Sequence, residues 1–136
     1  MLEVYSKNQT IPATNGLVPF TSQALKKGCT AELTGTNTVQ LNKCGVYEII
    51  FEAEYLASAA GNIVIQMLKD GVAQPQAIRT VTGATTTESK SVSISTLVQV
   101  KDNNSCKCCD APTTIQFVNT GVEIVGDSNV VVTKIC

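Results

Sequence analysis

Between residues 45 and 55 the chain alternates with a period of two. Tyr47, Ile49, Phe51, Ala53 and Tyr55 fall on one side, and Val46, Glu48, Ile50, Glu52 and Glu54 on the other. A strand that buries one face and wets the other has this pattern, whereas a helix would smear the glutamates around its circumference. The stretch predicts the long central strand of an all-β domain. Residues 2–6 and 17–20 read as short strands, the second at an edge or bulge because Pro19 lacks an N–H. Residues 24–28 read as a bend or at most one helical turn. Residues 29–33 and 38–41 face each other as a hairpin across Thr34-Gly-Thr-Asn37. Residues 62–69 form a strand with Ile63, Ile65 and Met67 inward, and Asp70-Gly71 then gives the strongest hairpin signal, since both tolerate positive φ. The return strand, 72–81, carries Pro75 and is expected at an edge. Residues 89–101 form another long strand, and three shorter ones, 113–118, 121–125 and 129–135, close the domain. With roughly ten strands and no helical segment, the pattern predicts an all-β antiparallel sandwich of the jelly-roll kind.

Composition narrows the class. The 136 residues fit a single domain spanning 1–136, and a chain of this size buries roughly two-thirds of its unfolded surface. The net charge is -1 and charged residues make up 15%, against about 25% in an average soluble domain. A surface poor in charge and rich in Thr, Ser, Asn and Gln suits a protein packed against its own copies; it equally suits a sandwich with many polar turns. No basic run exists to hold phosphates, so no nucleic-acid partner is expected. No apolar run approaches the ~18 residues of a membrane span, so no membrane partner is expected either. Met1-Leu-Glu-Val-Tyr-Ser-Lys does not read as a signal peptide. The expectation is a protein made in a cytosol that reaches the outside on a particle or after lysis.

The chain contains no histidine, which removes the commonest general base, the Ser–His and Cys–His nucleophile pairs and the usual catalytic zinc shells. Glu52 and Glu54 are i, i+2 neighbours about 7 Å apart, a separation that glycosidase carboxylates also show. Three acids on the outer side of one strand are nevertheless the mark of a solvated face. Gly35, Gly61 and Gly83 are isolated turn glycines rather than a phosphate loop. Neither an enzyme nor a cofactor is expected. Sugar-binding surfaces rely on aromatic platforms, yet aromatics make up only 4% of the chain. Tyr5 and Tyr55 are the candidates for exposure, and Tyr47 and Phe51 belong to the core.

Six cysteines are the most specific chemical feature. Cys29 and Cys44 bracket the first hairpin and suit a disulfide across neighbouring strands. Cys106, Cys108 and Cys109 cluster in one loop and Cys136 ends the chain. Disulfides, within a chain or between subunits, are the first reading. Free thiols buried as small hydrophobes are the second. A thiolate metal site is the third, since the spacing lacks the CxxC geometry that aims two sulfurs at one zinc.

A short strand ending at Phe20, then Val39-Gln-Leu41 running through Gly45-x-Tyr47-x-Ile49-x-Phe51, then a strand closing on Lys69-Asp-Gly71, resemble in order the C1q/TNF-like jelly roll. The final strand, Val130-Val-Val-Thr-Lys-Ile135, sits where such domains place a central closing strand. The resemblance implies a compact homotrimer. Val46, Ile50, Val64 and Leu68 are apolar on the sides of their strands that face away from the core, where a partner subunit or another strand would cover them. The chain is also similar to small virion proteins of bacteriophages that decorate capsids or cap fibres, and to terminal domains of bacterial spore-surface glycoproteins. The expected role is a non-enzymatic structural protein of a phage virion, partnered by itself and by virion proteins such as the major capsid protein. The alternative is a receptor- or glycan-binding tip on a phage or on a bacterial cell or spore surface, with a host surface glycan recognised by residues 57–61, 83–88 and 101–112.

Overall fold

A computed structural model describes residues 1–28, 30–100 and 113–135. It contains eleven strands in chain order: β1 (Leu2–Ile11), β2 (Gly16–Leu17), β3 (Ser22–Lys26), β4 (Ala31–Thr34), β5 (Thr38–Leu41), β6 (Gly45–Ala57), β7 (Gly61–Lys69), β8 (Val72–Ala84), β9 (Lys90–Val100), β10 (Thr113–Asn119) and β11 (Ile124–Lys134). They form two antiparallel sheets. Sheet one has the order β3-β1-β11-β6-β9; sheet two has the order β4-β5-β10-β7-β8, with β2 added to β10. This is the jelly-roll sandwich that the alternation predicts.

The core is built by the inward residues of each strand. Tyr47, Ile49, Phe51 and Tyr55 of β6 are fully buried, as are Ile63, Ile65 and Met67 of β7. Phe117 joins the two layers: its ring stacks on Phe51 at 4.5 Å and meets Phe20 edge-on at 6.4 Å. Such aromatic pairs contribute about 0.5–1.5 kcal/mol beyond the area they bury. Asp70 and Gly71 both take positive φ, 52° and 81°, as a two-residue hairpin turn requires. The Asp70 carboxylate also accepts the Thr114 N–H at 2.8 Å, tying that turn to the start of β10.

Two segments differ from the sequence reading. The bend expected over 24–28 is in part a strand: residues 22–26 form β3, an edge strand whose backbone pairs with β1. Its side chains are mostly exposed, so no alternation marks it. Residues 121–125 and 129–135 do not form two strands; Gly126-Asp-Ser runs straight through as part of β11, which pairs with β6 from Ile124 to Lys134. Gly126 permits this because a Cβ there would collide with the Glu54 carbonyl.

One end of the sandwich is held by Asn119, which is fully buried. Its amide donates to the carbonyls of Pro12 (3.2 Å) and Val122 (2.8 Å), and its Oδ1 accepts the Gly121 N–H at 3.0 Å. The backbone of Asn15, in the left-handed region, donates to the Asn119 carbonyl at 2.9 Å. The edge where β8 and β9 meet is closed differently. Lys69 Nζ donates to the Gln99 carbonyl (2.9 Å) and Arg79 Nε to the Ser93 carbonyl (3.0 Å).

Candidate functional site

The outward side of sheet one carries the richest chemistry. Strand register lays its residues out in rows. Tyr5, Asn129, Glu52 and Ser93 stand side by side across β1, β11, β6 and β9. One step along, Asp127 faces Glu54, which faces Ser91. On the other side of the first row stand Glu3, Val131, Ile50 and Ser95. The twist of the sheet makes this surface a trough, about 550 Å³ in volume and floored by the first two rows with Glu3 and Lys7.

Local irregularity shapes one wall. The β1–β11 pairing slips between Ser6 and Gln9, and Asn8 takes a φ of 51°. The exposed Asn8 N–H donates to Asp127 Oδ1 at 2.9 Å, and Lys7 Nζ lies 3.8 Å from Oδ2. Asn129 Nδ2 donates to Glu3 Oε2 at 3.0 Å, but Asn129 Oδ1 is buried and makes no hydrogen bond among the described residues. Glu52, its register neighbour, only accepts when ionised. Four carboxylates, Glu3, Glu52, Glu54 and Asp127, line the trough against one cation, Lys7, so it suits a group that brings positive charge and N–H bonds. Among the described residues no three carboxylates or thiols converge as metal ligands would.

Beneath the trough, on the core side, Ser128 of β11 faces Ser6 of β1. Ser128 Oγ shares a short hydrogen bond with the Tyr55 hydroxyl. Tyr55, expected as a surface candidate, is fully buried. It occupies the inward parity of β6, and its polar end is satisfied by Ser128. Burial raises the Tyr55 phenol well above its ordinary pKa, and the Ser128 hydrogen bond pulls it down by less. Tyr5, the other candidate, is half-buried on the trough wall.

The four residues expected at a subunit interface are not brought together. Val46 and Ile50 lie half-buried on the outward face of sheet one, on β6. Val64 and Leu68 lie half-buried on β7, on the outward face of sheet two. Period-two reading shows which side of a strand is outward, but not which sheet the strand joins. Exposed Leu97 of β9 and half-buried Val131 of β11 share the sheet-one face with Val46 and Ile50. Of the cysteines, Cys44 is half-buried just before β6. Near it the Asn42 N–H donates to the Thr30 carbonyl at 2.8 Å. Cys29, Cys106, Cys108, Cys109 and Cys136 lie outside the described residues. So does the 101–112 loop, while residues 57–61 and 83–88 lie at the end of the sandwich held by Asn119. Sequence reasoning missed Glu3, Asp127 and Asn129. They come from strands distant in the chain, and no signal within either strand links them to Glu52.

No protein-family model and no curated protein sequence matches the chain. Solved structures do. The vertex protein P5 of phage PRD1 superposes with a TM-score of 0.62 at 16% identity, over 99% of this chain and 96% of that one. Murine APRIL, of the TNF family, superposes with a TM-score of 0.61 at 10% identity, over 98% of each chain. The fold is a TNF-like jelly roll. A family 35 carbohydrate-binding module from Cellvibrio japonicus reaches only 0.41 at 14% identity, over 97% of this chain and 96% of that one, too loose a match to carry any argument.

Proposed function

We propose that the chain is a non-enzymatic structural protein of a phage virion, a homotrimeric jelly roll that decorates the capsid or caps a fibre. One observation carries the reading: Val46, Ile50, Val131 and Leu97 stand together on the outward face of a sheet whose other side is already packed against the core. Apolar side chains grouped on an outward sheet face mark a surface that a partner covers. The shared fold with a phage vertex protein of nearly the same extent supports a virion setting, and other virion proteins, the major capsid protein first, are the partners beyond the chain itself.

Light scattering checks the assembly. Wild type is expected at three times the chain mass. Ile50→Asp, on the sheet-one face, is expected to run as a monomer, while Leu68→Asp, on the other face, stays trimeric. A monomeric wild type at every concentration sinks the trimer. Mass spectrometry of particles purified from the encoding organism checks the setting, and particles without the chain count against it. A second reading, a glycan- or receptor-binding tip, draws on residues 57–61 and 83–88, which come together at one end of the sandwich where Gly61 pairs with Ala84. A glycan array on the wild-type protein decides whether it has substance.

A further inference from the structure

The two ends of the sandwich differ in how their charges are spent. Towards the end held by Asn119, Lys90 pairs with Glu88 and Lys7 with Asp127, each at 3.8 Å. The opposite end gathers Lys26, Lys27, Lys43, Lys69 and Lys134. Register brings them there from separate parts of the chain. Leu2 stands between Lys26 of β3 and Val132 of β11. Lys134 faces Tyr47 of β6, whose hydroxyl donates to the Lys43 carbonyl at 2.7 Å. Lys69 ends β7, and its Nζ is held on the carbonyl of Gln99, which faces Val46.

Positive charge is left over at this end. Lys26 lies 3.7 Å from Glu32, but Lys27, Lys43 and Lys134 make no ion pair among the described residues. The Asp70 carboxylate already accepts the Thr114 N–H, and Glu48, the next acid inward, stands on the outward face of sheet one. Residues 101–112, between β9 and β10, carry two lysines and two aspartates and leave the balance unchanged. The net charge of -1 therefore hides a polarity between one basic end and the acids of the trough. Exposed aliphatic groups share the basic end: Val72, 63% exposed after the Asp70-Gly71 turn, and Ile135, 50% exposed beside Lys134. Apolar groups edged by charge are the mixture found where one protein meets another. Phosphate recognition favours the arginine fork, and the sole arginine, Arg79, lies elsewhere, midway along β8. Membrane surfaces favour tryptophan, which the chain lacks.

We propose that the end bearing Lys27, Lys43 and Lys134 docks on an acidic surface of a different protein, with the Asn119 end turned away from it. The docking rests on the virion reading above and adds which end of the sandwich meets the particle. Charge steers such a contact, and salt weakens it. An end-on seat also leaves the outward faces of both sheets free for association between copies.

The double variant Lys27→Glu, Lys134→Glu tests it against Lys90→Glu, the same charge reversal at the far end. The probe is poly-L-glutamate, with duplex DNA and phosphatidylserine vesicles as competing anions, and circular dichroism follows the folding of each variant. Wild type and Lys90→Glu are expected to bind poly-L-glutamate alike at low ionic strength, and the double variant about 10-fold more weakly. Absence of binding, equal weakening by Lys90→Glu, or tighter binding to DNA or vesicles overturns the docking. Lysine acetylation of intact particles, read by mass spectrometry, gives an independent readout. Lys27 and Lys134 are expected to be shielded relative to the free protein, and Lys90 not. The reverse pattern overturns the docking and leaves the virion setting standing. Particles without the chain remove the setting, and the poly-L-glutamate result then decides the docking alone.

Discussion

The two outward faces of the sandwich are made of different chemistry. On sheet two the polar side chains satisfy one another. Gln116 donates to Thr38 Oγ1 (2.8 Å), Gln40 to Asn42 Oδ1 (2.9 Å), Thr34 to Gln40 Oε1 (3.0 Å) and Gln66 to the Gln74 carbonyl (3.1 Å). On sheet one, carboxylates face carboxylates: Glu54 stands opposite Asp127, and Asn129 keeps an acceptor without a donor. Aliphatic residues fill the rest. The contrast separates a face completed within its own chain from one whose bonding is left open. Low overall charge says little about either, because the acids are concentrated where two strands far apart in the chain, β6 and β11, come together.

The contrast extends below the surface. Under sheet one, Tyr55 and Ser128 bond across β6 and β11, whereas Phe117 of sheet two offers only its ring to the interior. Tyr55→Phe is expected to cost about 1–3 kcal/mol at neutral pH, because the Ser128 hydroxyl loses its partner in the core. Chemical denaturation measures this. The pH dependence follows from the raised phenol. In the unfolded chain the tyrosine releases its proton near the ordinary value of about 10, while the folded state holds it to higher pH. The stabilisation is fully present below that value and is lost as pH rises through it, by up to about 1.4 kcal/mol per pH unit. The Phe variant lacks this component. Equal alkaline slopes in the two proteins would contradict the assignment.

A smaller effect probes the completed face. Gln116→Ala removes the amide that joins β10 to Thr38, at a cost of about 1 kcal/mol with no change in solution mass. A shift in mass would show that sheet two also serves association. Smallest is Glu54→Gln, which relieves the carboxylate facing Asp127 and is expected to stabilise the monomeric Ile50→Asp background by about 0.5 kcal/mol. A loss of stability instead would mean that Glu54 has a favourable partner on this face.

Much of the fold was legible because the burial pattern is strict. The alternation of β6, the inward residues of β7 and the Asp70-Gly71 turn each carry their own signal. β3 was not legible: Ala24-Leu-Lys-Lys is exposed on both sides, so only pairing with β1 makes it a strand. β11 was read as two strands because Gly126-Asp-Ser has turn composition, and the requirement for glycine there comes from the Glu54 backbone, 72 positions earlier in the chain. The trough was the least accessible. Glu52 was visible as an outward acid and Tyr5 as a surface aromatic, but Glu3, Asp127 and Asn129 join them only through register. Val64 and Leu68 show the converse, since parity marked them as outward while sheet order sent them to the opposite face.

Asn119 has a consequence for engineering. Its three hydrogen bonds fasten residues 12–16 and 121–122 to one another, so foreign sequence spliced into either loop would disturb both. Residues 85–89 project at the same end, and their hydroxyl contact, between Thr85 and Thr87 at 3.5 Å, is local. Peptide epitopes for multivalent display belong there, on a rigid platform that the graft does not have to support.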